Sequence, residues 1–191
     1  YAETVDPELA SGQFYRRSAT EYHLSPDKLA ADYAPVRFDR ELRLFRQHCP
    51  TGAVLDVGCS TGGFLHQLNT RWPGAYRFVG TDVAGAALDY AATRGIPVER
   101  RPFLDDGFGR SGFDAITFWA VMEHLVEPKR YLRRAAALLN PGGWCFVLVP
   151  NVQSLAVLLL GAQYRYVMAE HVNYFGPQSL RNFAAQEPAF R

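Results

Sequence analysis

The chain has 191 residues, a length that fits one domain with a core large enough to fold alone. Its net charge of +1 at pH 7 argues against a nucleic-acid groove or an anionic membrane surface as partner. Three scattered cysteines without CxxC spacing argue against a disulfide framework and indicate a reducing compartment. With no secretory signal visible, we expect a cytoplasmic monomer or homodimer that binds a small-molecule substrate.

Residues 1–50 have a polar, helical pattern that is rich in Tyr and Arg. Ser25 is predicted to cap a helix that begins at Pro26. We interpret this part as an N-terminal helical cap or lid whose aromatic residues cover a pocket. Amphipathic helices packed on a sheet edge would give the same pattern.

From residue 51 onward, predicted strands alternate with predicted helices. Short links between them favour a three-layer, doubly wound α/β fold with a mostly parallel sheet. Gly95 is expected to end the second of these helices, and residues 140–143 are predicted to form a turn. The predicted strands are 53–57, 76–81, 96–100, 113–119 and 144–149, and the predicted helices are 62–70, 85–94 and 128–139.

The segment from Val54 to Gly63 has the outline of a cofactor pocket. Val54 to Val57 is an apolar run typical of a buried strand. Gly58 and Gly62 allow a tight turn and the close approach of a ligand to the backbone. A helix that begins near Gly62 would offer free N–H groups and the positive end of its dipole.

Carboxylates stand at the ends of the first two predicted strands. Ligands of open α/β sheets bind at these carboxyl ends, where Asp82 is suited to accept both hydroxyls of a ribose. Asp56 is suited to orient the loop or to accept from a ligand ammonium. Helix capping is the alternative use of either residue. Because two acids flank the glycine turn, we favour binding.

Aromatic residues follow the third and fourth predicted strands. Phe103 is suited to pack on an adenine ring, and a place in the core is the alternative. Trp119 is expected either at the rim of the site or in the core.

Several segments resemble those of the class I S-adenosylmethionine-dependent methyltransferases, and they occur in the order and with the spacing of that family. The resemblance covers residues 53–150, which we expect to form the cofactor-binding core (51–150). The segment 170–175 is similar to a subgroup that methylates small molecules, including sugars and other secondary metabolites, and residues 151–191 are expected to be a substrate-side helical or loop segment. The segments that carry the resemblance are residues 56–62, Asp82, residues 113–116, 123–125 and 138–143.

The resemblance implies S-adenosylmethionine as the cofactor and S-adenosylhomocysteine as the product. It places the glycine loop under the methionine part, Asp82 on the ribose and Val83 on the adenine. Ser60 stands where many members carry Gly, a small change that the turn tolerates. The implied cofactor-binding residues are Asp56, Gly58, Cys59, Ser60, Gly62, Asp82, Val83, Phe103, Phe118, Trp119 and Ala120.

Methyl transfer to a hydroxyl or an acidic carbon needs a base, for which a near-neutral His is the usual choice. His171 follows the fifth strand and is our candidate, with Glu170 suited to orient its imidazole. The resemblance places His124 near the cofactor. For each histidine, a structural role is the alternative. Whether the acceptor atom is O, N or C stays open.

Two other functions are alternatives to methyl transfer. A nicotinamide-dependent oxidoreductase would need G-x-G-x-x-G, but Ser60 replaces the second Gly, and Asp56 would repel a diphosphate. A non-catalytic or truncated cofactor-binding module is the second alternative, since only about 40 residues follow the fifth strand. We therefore expect the sheet to lack the family's last strands and the chain to be part of a larger polypeptide. No ligand spacing predicts a metal site.

Overall fold

The computed structural model describes residues 5–106 and 112–190, so the two ends of the chain, 1–4 and Arg191, lie outside the described residues. Five parallel strands form one sheet: β1 (Gly52–Val57), β2 (Tyr76–Thr81), β3 (Val98–Glu99), β4 (Phe113–Trp119) and β5 (Leu139–Leu148). Their order is β3-β2-β1-β4-β5, which reverses between β1 and β4. The predicted doubly wound α/β fold is confirmed.

Helices precede, connect and follow the strands. Ser25 caps the third of them as predicted, because its hydroxyl accepts from the amide of Lys28 at 3.4 Å. Gly95, at φ +77°, follows the end of the helix between β2 and β3, also as predicted. The α-helices are α1 (Pro7–Ala10), α2 (Gln13–Ser18), α3 (Pro26–Tyr33), α4 (Asp39–His48), α5 (Gly63–Arg71), α6 (Gly85–Thr93), α7 (Pro128–Leu138), α8 (Leu155–Leu160) and α9 (Pro177–Ala185).

The core lies on both faces of the sheet because successive strand residues point to opposite faces. On one face, Val54 and Ala115 pack with buried residues of α4, α5 and α6. On the other, Leu55 and Ile116 pack with buried residues of α7 and α9. The three layers therefore follow from the absence of polar alternation in β1 and β4.

The predicted turn at 140–143 lies inside β5 rather than before it. Leu139 pairs with Phe113 and Trp144 pairs with Ala115, so the residues between Leu139 and Trp144 form a bulge. Gly142 has φ +79°, a conformation that Gly adopts without strain. The predicted turn is therefore a bulge within β5, because Leu139 before it and Trp144 after it both pair with β4.

Residues 151–190 are helical or loop-like, as expected. The backbone amide of Val152 donates to the carbonyl of Phe175 at 2.9 Å, and an isolated parallel bridge joins Asn151 and Phe175. Within ranges 5–106 and 112–190, the sheet has no strand beyond the fifth, and no helix is long and apolar enough to cross a membrane.

Candidate active site

The loop after β1 is a sharp turn built at the switch point of the sheet. The amides of Gly58 and Cys59 both donate to the carbonyl of Thr81, at 2.8 and 3.1 Å, which ties the loop to the end of β2. Gly58 has φ +73° and Gly62 has φ +82°. A Cβ on Gly58 would stand 2.5 Å from Cγ2 of Val121, so this position requires glycine for space as well as for conformation.

Ser60 adopts φ +50°, a left-handed conformation that few non-glycine residues take. Two contacts hold it there. Its amide donates to Oδ2 of Asp82 at 2.8 Å, and its hydroxyl lies 2.8 Å from Nδ1 of His23. The serine that replaces a glycine in this loop is thus compensated by bonds to Asp82 and to the N-terminal segment.

Asp82 stands at the carboxyl end of β2 with both oxygens directed to the loop side. Oδ1 accepts from the amide of Ala84 and Oδ2 from that of Ser60, each at 2.8 Å. Burial raises the pKa of Asp82, and these two amides act in the opposite direction. A carboxylate has about four acceptor positions, so this one keeps capacity for two ribose hydroxyls. The neighbouring Val83 is 45% exposed, which leaves an apolar surface beside Asp82 on which an adenine ring could pack.

Asp56 lies beneath the loop and is buried in the sheet. The hydroxyl of Thr117 donates to its Oδ1 at 2.7 Å. Burial raises its pKa to about 7, although the bond from Thr117 lowers it. The side chain is 2% exposed, so the arrangement supports a place at the base of the loop and not a contact with a solvated ligand group.

The aromatic residues at the strand ends pack mainly within the protein. Phe103 stacks on Tyr131, with centroids 5.6 Å apart, and meets the fully buried Phe118 edge-on. This is the core position that the sequence left open as its alternative. Trp119 packs against Phe64 at 5.0 Å, and its buried Nε1 has no hydrogen-bond partner among the described residues. Ala120 adopts φ +57° where the chain leaves β4.

The N-terminal segment lies across the carboxyl edge of the sheet. His23 contacts Ser60 as described above, and the hydroxyl of Tyr33 donates to the carbonyl of Thr61 at 2.5 Å. The hydroxyl of Tyr15 lies 2.9 Å from Nδ1 of His124. Tyr15 is one of the N-terminal aromatic residues expected over the pocket, whereas His23 was expected to be structural or solvent-facing. Which distant loops these two residues meet could not be predicted, because nothing in their local sequence pattern indicates it.

The segment after β5 docks on the turn that follows β4. The side-chain amide of Asn173 donates to the carbonyls of Met122 and Leu125, at 3.1 and 2.6 Å, and its backbone amide donates to the carbonyl of Glu123 at 3.0 Å. These three bonds bring His171 next to His124, with ring centroids 4.6 Å apart. Two of the three predicted catalytic residues, 47 positions apart in the chain, are therefore neighbours.

Glu123 completes this cluster, although the sequence reading treated it only as part of a turn. One ligand atom each from Glu123, His124 and His171 lie within 4.8 Å of one another. Glu123 is 1% exposed and His171 is 7% exposed. Burial raises the pKa of Glu123 to about 7 and lowers that of His124 to about 4. Its position next to His124 in the sequence was the one signal that could have identified Glu123.

Glu170 contributes to the cluster mainly through its backbone. Its carbonyl lies 3.0 Å from Nδ1 of His124. A carbonyl only accepts, so this contact favours a proton on Nδ1 and leaves the lone pair of His124 on Nε2. The Glu170 carboxylate raises the pKa of His171 through its charge, while burial, the larger effect, lowers it.

A groove of about 350 Å³ opens beside the cluster, between the N-terminal segment and residues 169–172. Phe14 lies on one wall, next to Tyr15 in the chain, while Glu170 and Val172 lie on the other and flank His171. Tyr166 and Tyr174 have their rings 6.3 and 6.4 Å from that of His171. The groove is thus lined by apolar residues together with the acidic Asp6, Glu8 and Glu170, whereas the aromatic rings of Tyr166 and Tyr174 surround His171 itself.

Comparison with known proteins agrees with this geometry. A family model described as a methyltransferase domain matches residues 30–187. A ubiquinone biosynthesis O-methyltransferase of Caulobacter vibrioides is 31% identical over 98% of this chain and 76% of its own length, and one of Caulobacter sp. strain K31 is 31% identical over 71% of this chain and 58% of its own length. A Thermotoga maritima structure described as a SAM-dependent methyltransferase, possible histamine N-methyltransferase, has a TM-score of 0.70 at 19% identity, over 91% of this chain and 78% of that one, and shows the common fold.

A doubly wound sheet with a glycine loop at its switch point and an acid at the end of the neighbouring strand is the arrangement typical of enzymes that bind a nucleoside cofactor. The match over residues 30–187 goes further: the chain belongs to the methyltransferase-domain family and is an S-adenosylmethionine-dependent methyltransferase that acts on a small molecule. Of the two alternatives, neither the oxidoreductase nor the non-catalytic module is supported by these relatives.

Proposed function

We propose that this protein methylates a hydroxyl oxygen of an aromatic small molecule. The observation that carries the proposal is the buried Glu123–His124–His171 cluster, which lies on the same edge of the sheet as the loop of Gly58 to Gly62. The aromatic surroundings of His171 favour a flat, apolar acceptor. The name of the Caulobacter relatives, which are O-methyltransferases, supports oxygen as the acceptor atom.

The residues around the loop fit the cofactor. We propose that residues 58–62 lie under its methionine part, that Asp82 accepts from its ribose hydroxyls and that Val83 packs on its adenine. Asp56 stays beneath the loop as a support. Phe103, Phe118 and Trp119 shape the wall of the pocket from the core. The loop's left-handed residues and the remaining acceptor capacity of Asp82 support this assignment.

Bound S-adenosylmethionine supplies an electrophilic methyl group: the new C–O bond forms while the C–S bond breaks, and the electron pair stays on sulfur. The protein must align the acceptor oxygen with that methyl group and exclude water. Tyr15 and the Glu170 carbonyl hold the His124 ring in place, and His171 takes the hydroxyl proton. The N-terminal segment acts as a lid that closes the site against water.

The test combines turnover with cofactor binding. The protein is incubated with S-adenosylmethionine and a phenol, a catechol or the matching aniline, and products are identified by mass spectrometry. We expect O-methylated product from at least one hydroxyl acceptor and none from the aniline. His171→Ala should lower kcat at least ~100-fold, the size of a general-base contribution, while the Kd of S-adenosylhomocysteine stays within about threefold.

His48→Ala is the matched control. His48 is exposed and its ring packs at a tilt against Trp144 at the opposite end of the sheet, 4.4 Å between centroids, so its removal should leave turnover unchanged. Methylation of the aniline alone, or equal losses of turnover and cofactor affinity in His171→Ala, would contradict the proposal.

A further inference from the structure

The carboxylate of Glu123 is the least satisfied polar group of the site. Neither of its oxygens meets the geometry of a hydrogen bond with any described residue, although the side chain is 1% exposed. An ionised carboxylate without partners in such a place costs several kcal/mol, so it is normally protonated, paired or bound to a metal. The imidazoles of His124 and His171 and the phenol of Tyr15 lie near it, and no described Lys or Arg forms an ion pair with it.

His124 is presented in the form that binds a metal ion. The Nδ1 of His124 lies 3.0 Å from the Glu170 carbonyl and 2.9 Å from the Tyr15 hydroxyl, so its Nε2 lone pair is free. A metal-binding His typically has its second nitrogen on a carbonyl in this way, which fixes the tautomer and the orientation of the ring. His171 is 7% exposed and its ring lies parallel to that of Tyr166, with centroids 6.3 Å apart, so packing fixes its orientation.

We propose that Glu123, His124 and His171 bind one divalent cation of the zinc class, and that this cation holds the acceptor oxygen. Two imidazoles and one carboxylate form a known catalytic donor set for Zn²⁺, with a further position open for water or substrate. A site for Mg²⁺ would be dominated by oxygen ligands instead. Because zinc–ligand bonds are about 2.1 Å long, the three side chains would draw together by about 1 Å on binding.

The cation deepens the proposed function, on which its catalytic role rests. A hydroxyl bound to Zn²⁺ loses its proton far more readily than a free one, so the metal would generate the acceptor oxyanion. The hydroxyl proton would then leave to solvent, and His171 would be a ligand instead of the direct base. Ligand spacing along the chain gave no sign of this site because His171 comes from a different segment. It follows His124 by 47 residues in the chain, although the two ring centroids lie 4.6 Å apart.

The experiment measures metal binding directly. The full chain is treated with a chelator and then titrated with Zn²⁺ or Mg²⁺ in a calorimeter, and the Co²⁺-loaded protein is examined by visible spectroscopy. We expect one Zn²⁺ per chain, at least ~10-fold tighter binding of Zn²⁺ than of Mg²⁺, and cobalt d–d bands that Zn²⁺ displaces. Glu123→Gln and His171→Ala should each weaken Zn²⁺ binding at least ~10-fold while S-adenosylhomocysteine binds as before.

His48→Ala is again the control and should bind Zn²⁺ like the unaltered protein. If Glu123→Gln fails to fold, the cobalt spectrum of the unaltered chain decides, and absence of d–d bands overturns the inference. Unchanged Zn²⁺ affinity in Glu123→Gln overturns it as well.

The metal and the methyl transfer fail separately. Full turnover in chelator-treated, zinc-free protein would overturn the role of the metal and leave the proposed function with His171 as base. Zinc bound by these three residues without O-methylation of any hydroxyl acceptor would overturn the function and leave the metal site.

Discussion

At the scale of single residues, the site depends on positions where one side chain is compatible and most others are not. Gly58 is such a position because φ is +73° and Val121 fills the space of a Cβ. Ser60 shows the opposite solution, since its left-handed conformation is held by Asp82 and His23. The buried carboxylate of Glu123 has no hydrogen-bond partner among the described residues, which is why we infer that it binds a ligand.

Gly58→Ala should destabilise the protein and weaken cofactor binding. The left-handed conformation costs an alanine about 1 kcal/mol, and the contact with Val121 adds a further ~1–3 kcal/mol. Gly74→Ala is the matched control, because Gly74 has φ +75° with nothing within 4 Å of its Cβ position. Urea unfolding should show about 1 kcal/mol for Gly74→Ala and clearly more for Gly58→Ala. Equal losses would mean that Val121 moves away without cost, and partial rescue by Val121→Ala would confirm the clash.

At the scale of elements, one docking contact assembles the acceptor side of the site. The segment with His171 has no regular structure of its own, and Asn173 anchors it to the turn after β4 through Met122 and Leu125. The elements around the proposed cofactor-binding loop were predictable, since strands β1, β2 and β4 lie within one residue of their predicted bounds. The docking was not predictable, because it consists of bonds from an irregular loop to backbone carbonyls.

Asn173→Ala should uncouple the two sides of the site. Losing the side-chain amide leaves the carbonyl of Leu125 without its donor and that of Met122 with only the amide of Leu125, 3.4 Å away, at a cost of about 1–3 kcal/mol in unfolding free energy. We expect kcat and Zn²⁺ affinity to fall with little change in S-adenosylhomocysteine affinity. Asn182→Ala, at an exposed position of α9, should change the unfolding free energy by less than ~0.5 kcal/mol. Loss of stability alone, with both functional measurements unchanged, would assign Asn173 a purely structural role.

At the scale of the whole molecule, residues 5–50 divide into two kinds of structure. The segment before α4 contacts the loop after β1 through His23 and Tyr33, whereas α4 is part of the core. Phe45 is fully buried against Phe64, Tyr76 and Phe146. The single boundary at residue 50 therefore combined a covering segment with a core helix.

Phe45→Ala should cost about 3–5 kcal/mol of unfolding free energy, as expected for a large buried aromatic side chain. Leu44→Ala, one residue earlier on the same helix and 49% exposed, should cost less than ~0.5 kcal/mol. Thermal and urea unfolding of the two variants measure the difference. Similar small losses for both would show that α4 is not part of the cooperative core.

The sequence by itself determined the fold and the position of the loop at which we propose that the cofactor binds. Apolar runs mark buried strands, glycines mark the turn after β1, and Asp56 and Asp82 stand at strand ends that a parallel sheet must bring to one edge. These signals are local, and the handedness of βαβ units converts them into a position in space. Only the tertiary structure decided the acceptor side. Glu123, His124, Tyr15 and His171 meet through loop contacts, and Phe103 turns into the core, because packing and backbone hydrogen bonds between distant segments leave no periodic pattern in the chain.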